Sequence, residues 1–505
     1  MSISSLRNSI VLFMTIAFSG VASGQAFDGF TLYNKMNQST AYLINGAGQI
    51  AHTWSCPTSA NYSLALKPNG NIVRGAVYSN NLITSAAVGG MVQELGPTGN
   101  VIWSFTYSTA NYVTHHDICL MPNGNVLLLA YVKHTLAELQ ALGYTGSSAK
   151  YPGRIIEIQP NGNTASVVWE WNIKDRFIQH ADATKPNYLV IAEHPERMNI
   201  NVTVSGGGGG PGGAIDWFHE NGLDYNEELD QIVLSARYLS EFFIIDHSTT
   251  TAEAAGHTAG NGGRGGDFLF RWGKSANYGI TGIAAIPAAT HDAHWIAAGR
   301  PNAGWIQYVN NSGGTGSGTV VDAINPAPVG YNYPWTPGTI WGPSTYQWRH
   351  VALATASGQS TSERLPNGNV FVAVSGQYMY EATESGTVVW QYNDNPPTAF
   401  RYLCDDPGIL ALLGDPCGIG TGVDEEIEQT PVGLYPNPSN GLFTLKGVDL
   451  SKLTDIVVLD ATGREVLRTR AGLTIDLGGS PEGIYQVALE YRTGERTFQK
   501  VVVQR

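Results

Sequence analysis

The stretch that decides the fold is a short turn motif, LKPNGN at residues 66–71, which recurs as LMPNGN at 120–125 and as LPNGN at 365–369. An alternating strand precedes each copy, and an apolar strand usually follows it. Proline presets the first dihedral of the turn and glycine takes the position with positive φ. Each copy therefore predicts a tight turn between two antiparallel strands.

A second hairpin unit alternates with the first and ends on a tryptophan. It occurs as ELGPTGNVIW at 94–103, EIQPNGNTASVVWEW at 157–171 and EATESGTVVWQY at 381–392. Joined, the two units predict a four-stranded antiparallel sheet that is repeated along the chain. Such sheets arranged around an axis form a β-propeller, which leaves few exposed strand edges. A β-sandwich is the alternative, but it would not repeat a double hairpin.

The propeller is expected over residues 25–402. About 375 residues at roughly 50 to 65 per blade, insertions included, predict six blades, with seven as the alternative. The middle of the chain lacks the turn motif but has strand-like segments. These lie at 232–235, 242–246, 268–272 and 305–310. The glycine-rich segment 205–213 predicts a mobile loop.

The two ends of the chain differ from the repeats. Residues 1–24 contain one arginine and a short apolar run, which predicts a signal peptide. Residues 403–429 are expected to be a linker. Residues 430–505 alternate apolar and polar positions, which predicts a small Ig-like β-sandwich. Its strands are expected at 443–446, 455–459, 465–469, 483–491 and 497–504.

Composition excludes some partners and bears on the disulfides. Charged residues are only 14% of the 505, and the net charge is −13, so nucleic acid is an unsuitable partner. No apolar run outside the signal peptide approaches the roughly 20 residues of a transmembrane helix. Cys404 and Cys417 bracket a loop that an exported protein could close with a disulfide. Cys56 and Cys119 are expected either to pair or to stay buried.

The histidines supply the candidate site. Seven residues before the turn asparagines lie Tyr62, His116 and Ser360, on strands that would line the propeller channel. By the same register, His219 and His291 are expected near that funnel, and His115 is the alternative to His116. Imidazoles can act there as nucleophiles or general acids and bases, or bind an anion together with arginines such as Arg237 and Arg349. Asp117 or Asp216 could orient a ring, and three histidines could instead bind a transition metal.

Several segments together resemble the bacterial arylsulfate sulfotransferases, which are exported six-bladed propellers. They are THHDICLMPNGN at 114–125, DWFHENGLDYNEELDQIVLSARYLSEFFIID at 216–246 and HDAHWI at 291–296. The resemblance covers roughly residues 25–400. It implies transfer of a sulfuryl group from an aryl sulfate donor to a phenolic acceptor, through a sulfated histidine and without a cofactor.

The resemblance also assigns candidate residues. His219 and His291 match active-site histidines of the family, and the segment Val309-Asn310-Asn311-Ser312 matches a family turn, which makes Asn311 a substrate-binding candidate. The family's nucleophilic histidine belongs to a late blade, where this chain has Tyr378. His350 is the nearest substitute as nucleophile. His116, Arg349 and Tyr378 are expected to support substrate binding.

The C-terminal block resembles the sorting domain of type IX secretion substrates in the Bacteroidetes. Its marks are LYPNP at 434–438, DATGREV at 460–466 and GIY at 483–485. The resemblance implies that the type IX machinery is a partner and that the protein is secreted or reaches the cell surface. Two alternatives to the enzyme remain: a non-catalytic propeller that binds a glycan or a cell-surface partner, and a metal-assisted hydrolase or lyase.

Overall fold

A computed structural model describes residues 25–204, 216–356, 358–418, 433–446, 448–470, 472–492 and 496–505. Contacts between residues divide the chain into unit 1, Met1–Cys417, and unit 2, Gly418–Arg505. The predicted signal peptide, the glycine-rich segment and residues 419–429 of the predicted linker lie outside the described residues.

Unit 1 consists mainly of short strands. In chain order they are β1 (Gly29–Asn34), β2 (Thr40–Asn45), β3 (Ile50–Ser55), β4 (Ala60–Leu66), β5 (Ile72–Val77), β6 (Gly90–Leu95), β7 (Val101–Thr106), β8 (Tyr112–Leu120), β9 (Val126–Val132), β10 (Gly153–Asn161), β11 (Thr164–Asn172), β12 (Phe177–Ile178), β13 (Met198–Asn199), β14 (Glu220–Asn226), β15 (Gln231–Ala236), β16 (Glu241–Asp246), β17 (Phe268–Gly273), β18 (Thr290–Trp295), β19 (Ile306–Asn310), β20 (Val320–Ile324), β21 (Trp348–Val351), β22 (Thr361–Arg364), β23 (Val370–Val374), β24 (Tyr378–Ala382), β25 (Val388–Tyr392) and β26 (Ala399–Leu403). The α-helices are α1 (Leu136–Ala141), α2 (Thr251–Ala254) and α3 (Pro407–Leu413). Single 3₁₀ turns occur at Ile173–Arg176, Ile191–Glu193, Ser275–Tyr278 and Thr315–Ser317.

The described strands of unit 1 form six four-stranded antiparallel sheets and one two-stranded sheet, β12-β13. Five of the larger sheets use consecutive strands: β4 to β7, β8 to β11, β14 to β17, β18 to β21 and β22 to β25. The sixth has the order β26-β1-β2-β3, so the last strand of the unit lies beside the first. The all-β propeller predicted from the repeats is confirmed.

The first strand of each sheet lies at the centre of the propeller. Successive inner strands, β4, β8, β14, β18, β22 and β26, pack against one another. Hydrogen bonds join β26 back to β4: Thr398 Oγ1 donates to the carbonyl of Tyr62 over 2.9 Å, and the Leu66 amide donates to Tyr402 Oη over 2.9 Å. The inner strands therefore surround one central channel.

A buried hydrogen bond explains why the two hairpin units alternate in the sequence. In three of the first hairpin units, the last asparagine of the PNGN turn donates its side-chain amide to the glutamate that opens the second unit. The pairs are Asn71 with Glu94 at 2.6 Å, Asn125 with Glu157 at 2.5 Å and Asn369 with Glu381 at 2.5 Å. Gly70, Gly124 and Gly368 in the turns have φ of 81°, 86° and 86°, as predicted.

We expect Asn125→Ala to lower the free energy of unfolding by about 1–3 kcal/mol, because the buried Glu157 carboxylate loses one of its hydrogen-bond donors. Asn100→Ala is the matched control. Asn100 ends the corresponding turn of a second unit, but it is exposed and its Oδ1 accepts from Thr98 Oγ1, a residue of the same turn. The control should change stability by less than about 0.5 kcal/mol. Denaturant titration of both variants measures the difference, and equal losses would contradict this role for the asparagine.

The segment after β26 is folded onto unit 1. Asp406 caps α3 by accepting the Gly408 amide at 2.8 Å, and Ile409 packs in the same apolar cluster as Phe30 and Leu32. Cys404 and Cys417 form the predicted disulfide. The linker expected from residue 403 is therefore corrected: contacts place the division after Cys417, because the apolar face of α3 is buried. Cys56 and Cys119 are half-buried and unpaired.

Unit 2 is a small two-sheet structure. Its strands are β27 (Gly433–Tyr435), β28 (Leu442–Lys446), β29 (Leu453–Leu459), β30 (Glu465–Arg470), β31 (Thr474–Asp476), β32 (Gly483–Tyr491) and β33 (Arg496–Val503), with a 3₁₀ turn at Leu450–Lys452. The sheets have the orders β27-β28-β31 and β30-β29-β32-β33. Phe443 and Ile475 from the first sheet share one buried core with Ile456 and Val487 from the second. The predicted β-sandwich is confirmed, with β27 and β31 as strands that the sequence analysis missed.

Candidate active site

Three histidines from neighbouring inner strands meet at one end of the central channel. His116 lies in β8, His219 directly precedes β14, and His291 lies in β18. The ring centroids of His116 and His219 are 4.6 Å apart, and that of Tyr62, from β4, lies 5.5 Å from His116. All three histidines are at most 5% exposed. The register of the repeats thus located a real cluster, which we call the histidine cluster.

The backbone departs from regular strand geometry at this end of the channel. His116 and His219 have φ of 51° and 56°, and Asp292, next to His291, has 52°. A bulge between His115 and Ile118 interrupts the pairing of β8 with β9. Positive φ at non-glycine residues costs energy and tends to occur at functional sites. The bulge brings two consecutive side chains together: His115 Nδ1 lies 2.8 Å from His116 Nδ1.

From the sequence, either His116 or His115 was expected to face the channel. The structure places both rings at the site. His115 stacks on Tyr131, with ring centroids 3.5 Å apart and an interplanar angle of 12°. The His116 ring instead faces His219 and Tyr62. We therefore regard His115 as a residue that holds the His116 ring in position through the contact between their Nδ1 atoms.

His219 forms a close pair with a buried carboxylate. Its Nδ1 lies 2.5 Å from Asp216 Oδ2, and Tyr131 Oη donates to the same oxygen over 3.2 Å. Because an ionised carboxylate can only accept, Nδ1 of His219 carries a proton and donates to Asp216. Among the described residues, Nε2 has no hydrogen-bond partner. Asp216 thus fixes the orientation of the His219 ring.

His291 is oriented in a similar way by a neutral group. Its Nδ1 lies 2.9 Å from the carbonyl oxygen of Ala289, which can only accept a hydrogen bond. Asn311 Nδ2 donates to the carbonyl of Gly358 and lies 3.1 Å from the same nitrogen of His291. Asn311, predicted as substrate-binding, therefore sits against His291.

The cluster is poor in negative charge and disfavours further protons. Burial, together with His219 and Arg237, lowers the pKa of His291 to about 3. Burial and the same two neighbours, with His115 and His291, hold the pKa of His116 well below its usual value. Arg237 lies in the turn after β15, where its amide donates to the carbonyl of His219 over 2.9 Å. An anion placed here would relieve the repulsion among these groups.

Two of the predicted residues lie elsewhere. His350 and Arg349 belong to β21, the strand of its sheet farthest from the channel. His350 Nε2 lies 2.7 Å from Tyr380 Oη, and Arg349 pairs with Asp322 at 2.6 Å. The expectation that these residues face the funnel is corrected, because two strands, β19 and β20, lie between β21 and the inner strand β18. Tyr378 begins β24, and its substrate-binding role stays a prediction.

A polar side chain next to the β22–β25 sheet was not predicted from the sequence. Gln359, just before β22, is 4% exposed and donates to the carbonyl of Asn221 over 2.9 Å. Its Oε1 has no partner among the described residues. Ser360, which the register placed on the channel, is buried and donates back to the Gln359 carbonyl. The one feature of the sequence that could have indicated Gln359 is that it directly precedes Ser360, which the register places on the channel.

Beneath the histidine cluster, four inner-strand carboxylates link neighbouring sheets. Each accepts a backbone N–H from the next inner strand. The pairs are Asp117 with Leu223 at 2.8 Å, Asp224 with Trp295 at 2.9 Å, Asp292 with Ser362 at 2.8 Å and Glu363 with Arg401 at 3.0 Å. These four acids, which we call the carboxylate ring, line a cavity of about 380 Å³ in the channel. The ring fastens successive blades together.

The carboxylate ring makes stability depend on pH. Burial raises the pKa of Asp117 to about 7, against 3.8 for an ordinary aspartate. Between pH 4 and 7 the folded chain keeps a proton that the unfolded chain has lost, so this contribution to stability is present at low pH and is lost as the pH rises towards 7.

Asparagine does not titrate, so we expect the free energy of unfolding of Asp117→Asn to fall less between pH 4 and 7 than that of the wild type. Chemical denaturation of both proteins at a series of pH values measures the difference. Asp182→Asn is the control. Its exposed carboxylate accepts from Thr184, which lowers its pKa, so any change should be small and of opposite sign. Parallel pH profiles for wild type and Asp117→Asn would contradict the expectation.

Comparison with protein families identifies the region that contains most of this site. Residues 20–253 match the arylsulfotransferase family. The matched region includes His116, Asp216, His219 and Arg237, while His291 lies beyond it. The resemblance found in the sequence is confirmed. The arylsulfotransferase domain supports a sulfotransferase-like function, and so a transferase.

Residues 433–504 match the secretion system C-terminal sorting domain, which confirms the second resemblance. The sorting domain implies the type IX secretion machinery as a partner and directs the protein to the cell surface or beyond it. Within the described ranges, no helix is both long and apolar enough to span a membrane. The predicted signal peptide stays a prediction.

The solved structures that match this chain are distant from it in sequence. A protein of unknown function from Bacteroides caccae is 11% identical, with a TM-score of 0.41 over 74% of this chain and 98% of the other. The periplasmic gluconolactonase PpgL of Pseudomonas aeruginosa is 13% identical, with a TM-score of 0.36 over 74% and 99%. The Dos1 propeller is 9% identical, with a TM-score of 0.33 over 74% and 86%. Comparison with curated proteins gives no match.

Proposed function

We propose that the propeller transfers a sulfuryl group from an aryl sulfate donor to a phenolic acceptor by a covalent, ping-pong route. The observation that carries the proposal is the convergence of His116, His219 and His291 in one buried cluster beside Arg237. The arylsulfotransferase match over residues 20–253 supports the same chemistry. The route needs no nucleotide and no diffusible cofactor.

The roles of the residues follow from their charges and orientations. The Arg237 guanidinium attracts the sulfate group and stabilises negative charge on the oxygens of the transferring group. The Tyr62 ring packs edge-on against His116, and the Tyr238 ring lies 4.6 Å from His219. Aromatic side chains at these two positions suit the flat ring of an aryl substrate. Asn311 contacts the His291 ring at Nδ1 and so helps to hold that ring in position.

The test is incubation of the purified mature protein with a chromogenic aryl sulfate, with and without a phenol. We expect phenol release that accelerates when the acceptor is added, and a sulfated acceptor detectable by mass spectrometry. If wild-type protein neither releases phenol nor sulfates the acceptor over a broad panel of aryl sulfates, the proposed function fails.

One observation favours the alternative of a non-catalytic binding propeller. His350, the residue that sequence analysis assigned as nucleophile, lies on an outer strand and is hydrogen-bonded to Tyr380. A binding protein would hold aryl sulfates or sulfated glycans at the histidine cluster without turnover. Calorimetric binding of an aryl sulfate with no phenol release distinguishes this function from transfer.

A further inference from the structure

We propose that the cavity lined by the carboxylate ring binds a small organic dication, an alkyl chain with an ammonium group at each end. The site lies in the channel beneath the histidine cluster and uses none of the three clustered histidines. The inference therefore does not rest on the proposed function. It rests on the charges that line the cavity, on a buried amide oxygen and on the spacing of the acids.

The lining of the cavity carries more negative than positive charge. The four acids of the carboxylate ring face two cations, His294 and Arg300. Burial lowers the pKa of His294, but two nearby carboxylates of the ring outweigh it and raise the pKa to about 9. A third cation, Arg364, is already paired at 2.6 Å with Glu384, which is not a lining residue. Four carboxylates against two cations leave two excess negative charges, which a dication balances.

The carboxylates of the ring can accept further hydrogen bonds. Each accepts the backbone N–H of the next inner strand through one oxygen, and an ionised carboxylate has about four lone-pair sites. Burial raises the pKa of Asp117 to about 7 and also raises the pKa values of Asp224 and Glu363. A cation among these groups favours their ionised forms.

A buried amide in the same cavity points to a ligand that carries hydrogen-bond donors. Gln359 lines the cavity and is 4% exposed. Its Nε2 donates to the carbonyl of Asn221, whereas its Oε1 has no partner among the described residues. A buried acceptor without a donor is unfavourable, and an ammonium group can supply that donor.

The spacing of the acids favours an organic cation over a metal ion. Ca²⁺ binds its oxygen ligands at about 2.3–2.6 Å, so the ligands of one ion lie close to one another. Within the described part of the chain, no three acids of the ring bring their oxygens within 4.8 Å of one another. Two separate ammonium groups do not require such convergence, because each can contact a different carboxylate.

The size, walls and position of the cavity suit such a ligand. Its volume of about 380 Å³ lies within the usual range of small-molecule sites, roughly 300–1,000 Å³. Leu66, Leu120 and Phe400 supply apolar surface for an alkyl chain. The lining also includes the exposed Ala297, which follows the end of β18, whereas His291 lies at its beginning. A ligand can therefore enter from the side opposite the histidine cluster.

Calorimetric titration of the mature protein with cadaverine, a five-carbon chain with an amine at each end, tests the proposal at neutral pH. We expect one molecule bound per chain, with a dissociation constant of about 1 mM or tighter. The diol of the same chain length has no charge and should bind at least about tenfold more weakly. Equal binding of the diol, or no binding of cadaverine up to about 10 mM, overturns the proposal.

Glu363→Gln and Asp224→Asn locate the site. Each amide keeps an oxygen that can accept the backbone N–H of Arg401 or Trp295, so the contact between blades is retained while one negative charge is lost. We expect each variant to bind cadaverine about 10–100-fold more weakly. Glu227→Gln is the matched control. Glu227 follows β14, as an exposed residue outside the lining, and its variant should bind like the wild type.

Melting temperatures separate loss of the site from loss of the fold. Cadaverine should raise the melting temperature of the wild type, because it binds only the folded chain, and should raise that of the two ring variants less. Wild-type affinity in both ring variants would overturn the assignment to this cavity. Displacement of cadaverine by calcium chloride would assign the ring to a metal ion instead. Sulfuryl transfer is a separate readout, so either proposal can fail while the other stands.

Discussion

His291→Gln is expected to lower the rate of sulfuryl transfer by about 10²–10³-fold, the usual effect of losing one preorganised group that acts on the transition state. The His291 side chain is buried at the cluster and is held by Ala289 and Asn311, so the loss arises in the site and not in folding. Steady-state transfer between an aryl sulfate and a phenol measures the effect.

Two comparisons make this prediction specific. The melting temperature of His291→Gln should stay close to that of the wild type, because glutamine can still accept or donate near Ala289. His350→Gln separates the structural assignment from the sequence-based one. Because His350 contacts Tyr380 on an outer strand, we expect that variant to retain most of its transfer activity. A larger loss in His350→Gln than in His291→Gln would reverse the two assignments.

Arg271→Met is expected to lower the free energy of unfolding by about 3–5 kcal/mol, the cost of leaving a buried partner charge unpaired. Arg271 and Glu241 are both fully buried, and two N–H groups of the guanidinium donate to the carboxylate at 2.9 Å and 2.7 Å. The same guanidinium lies over the Tyr278 ring, 4.7 Å from its centroid. Chemical denaturation of the variant measures the loss.

The control is an ion pair at the surface of the same unit. Lys35 pairs with Asp394 at 2.8 Å, but its side chain is 30% exposed, so Lys35→Met should cost less than about 1 kcal/mol. Combining Arg271→Met with Glu241→Leu removes both buried charges and should recover part of the lost stability. If the double variant is less stable than Arg271→Met alone, the unpaired glutamate is not the main cause.

Much of the architecture could be predicted because each blade repeats the same local chemistry. The Pro-Asn-Gly-Asn turns require a hairpin wherever they occur, and the glutamate that opens the second unit is fixed by the asparagine of the first. The register of the same repeats predicted that His116, His219 and His291 lie near the channel, and the family resemblance matched His219 and His291 to active-site histidines. Side chains at equivalent positions on inner strands have to meet at the channel.

What could not be predicted depends on contacts between distant parts of the chain. The pairing of β26 with β1, the packing of α3 on the first sheet and the hydrogen bond from Tyr131 to Asp216 join residues without any shared local pattern. The bulge in β8 reverses the usual alternation of side chains, so His115 and His116 could not both be assigned. His350 was misplaced because proximity in sequence to a late blade does not reveal which strand faces the axis.

The pairing of β26 with β1 has a consequence for how the protein is made. Phe30 lies opposite Tyr402 across this pair, so the first sheet lacks its innermost strand until nearly the whole of unit 1 has been synthesised. During synthesis and export, the nascent chain therefore exposes an unpaired edge at β1 and cannot complete the ring. A circular permutant that joins the two ends of unit 1 and begins between β3 and β4 would build every blade from consecutive strands. Such a chain could assemble its blades one after another as it emerges, without waiting for its last segment.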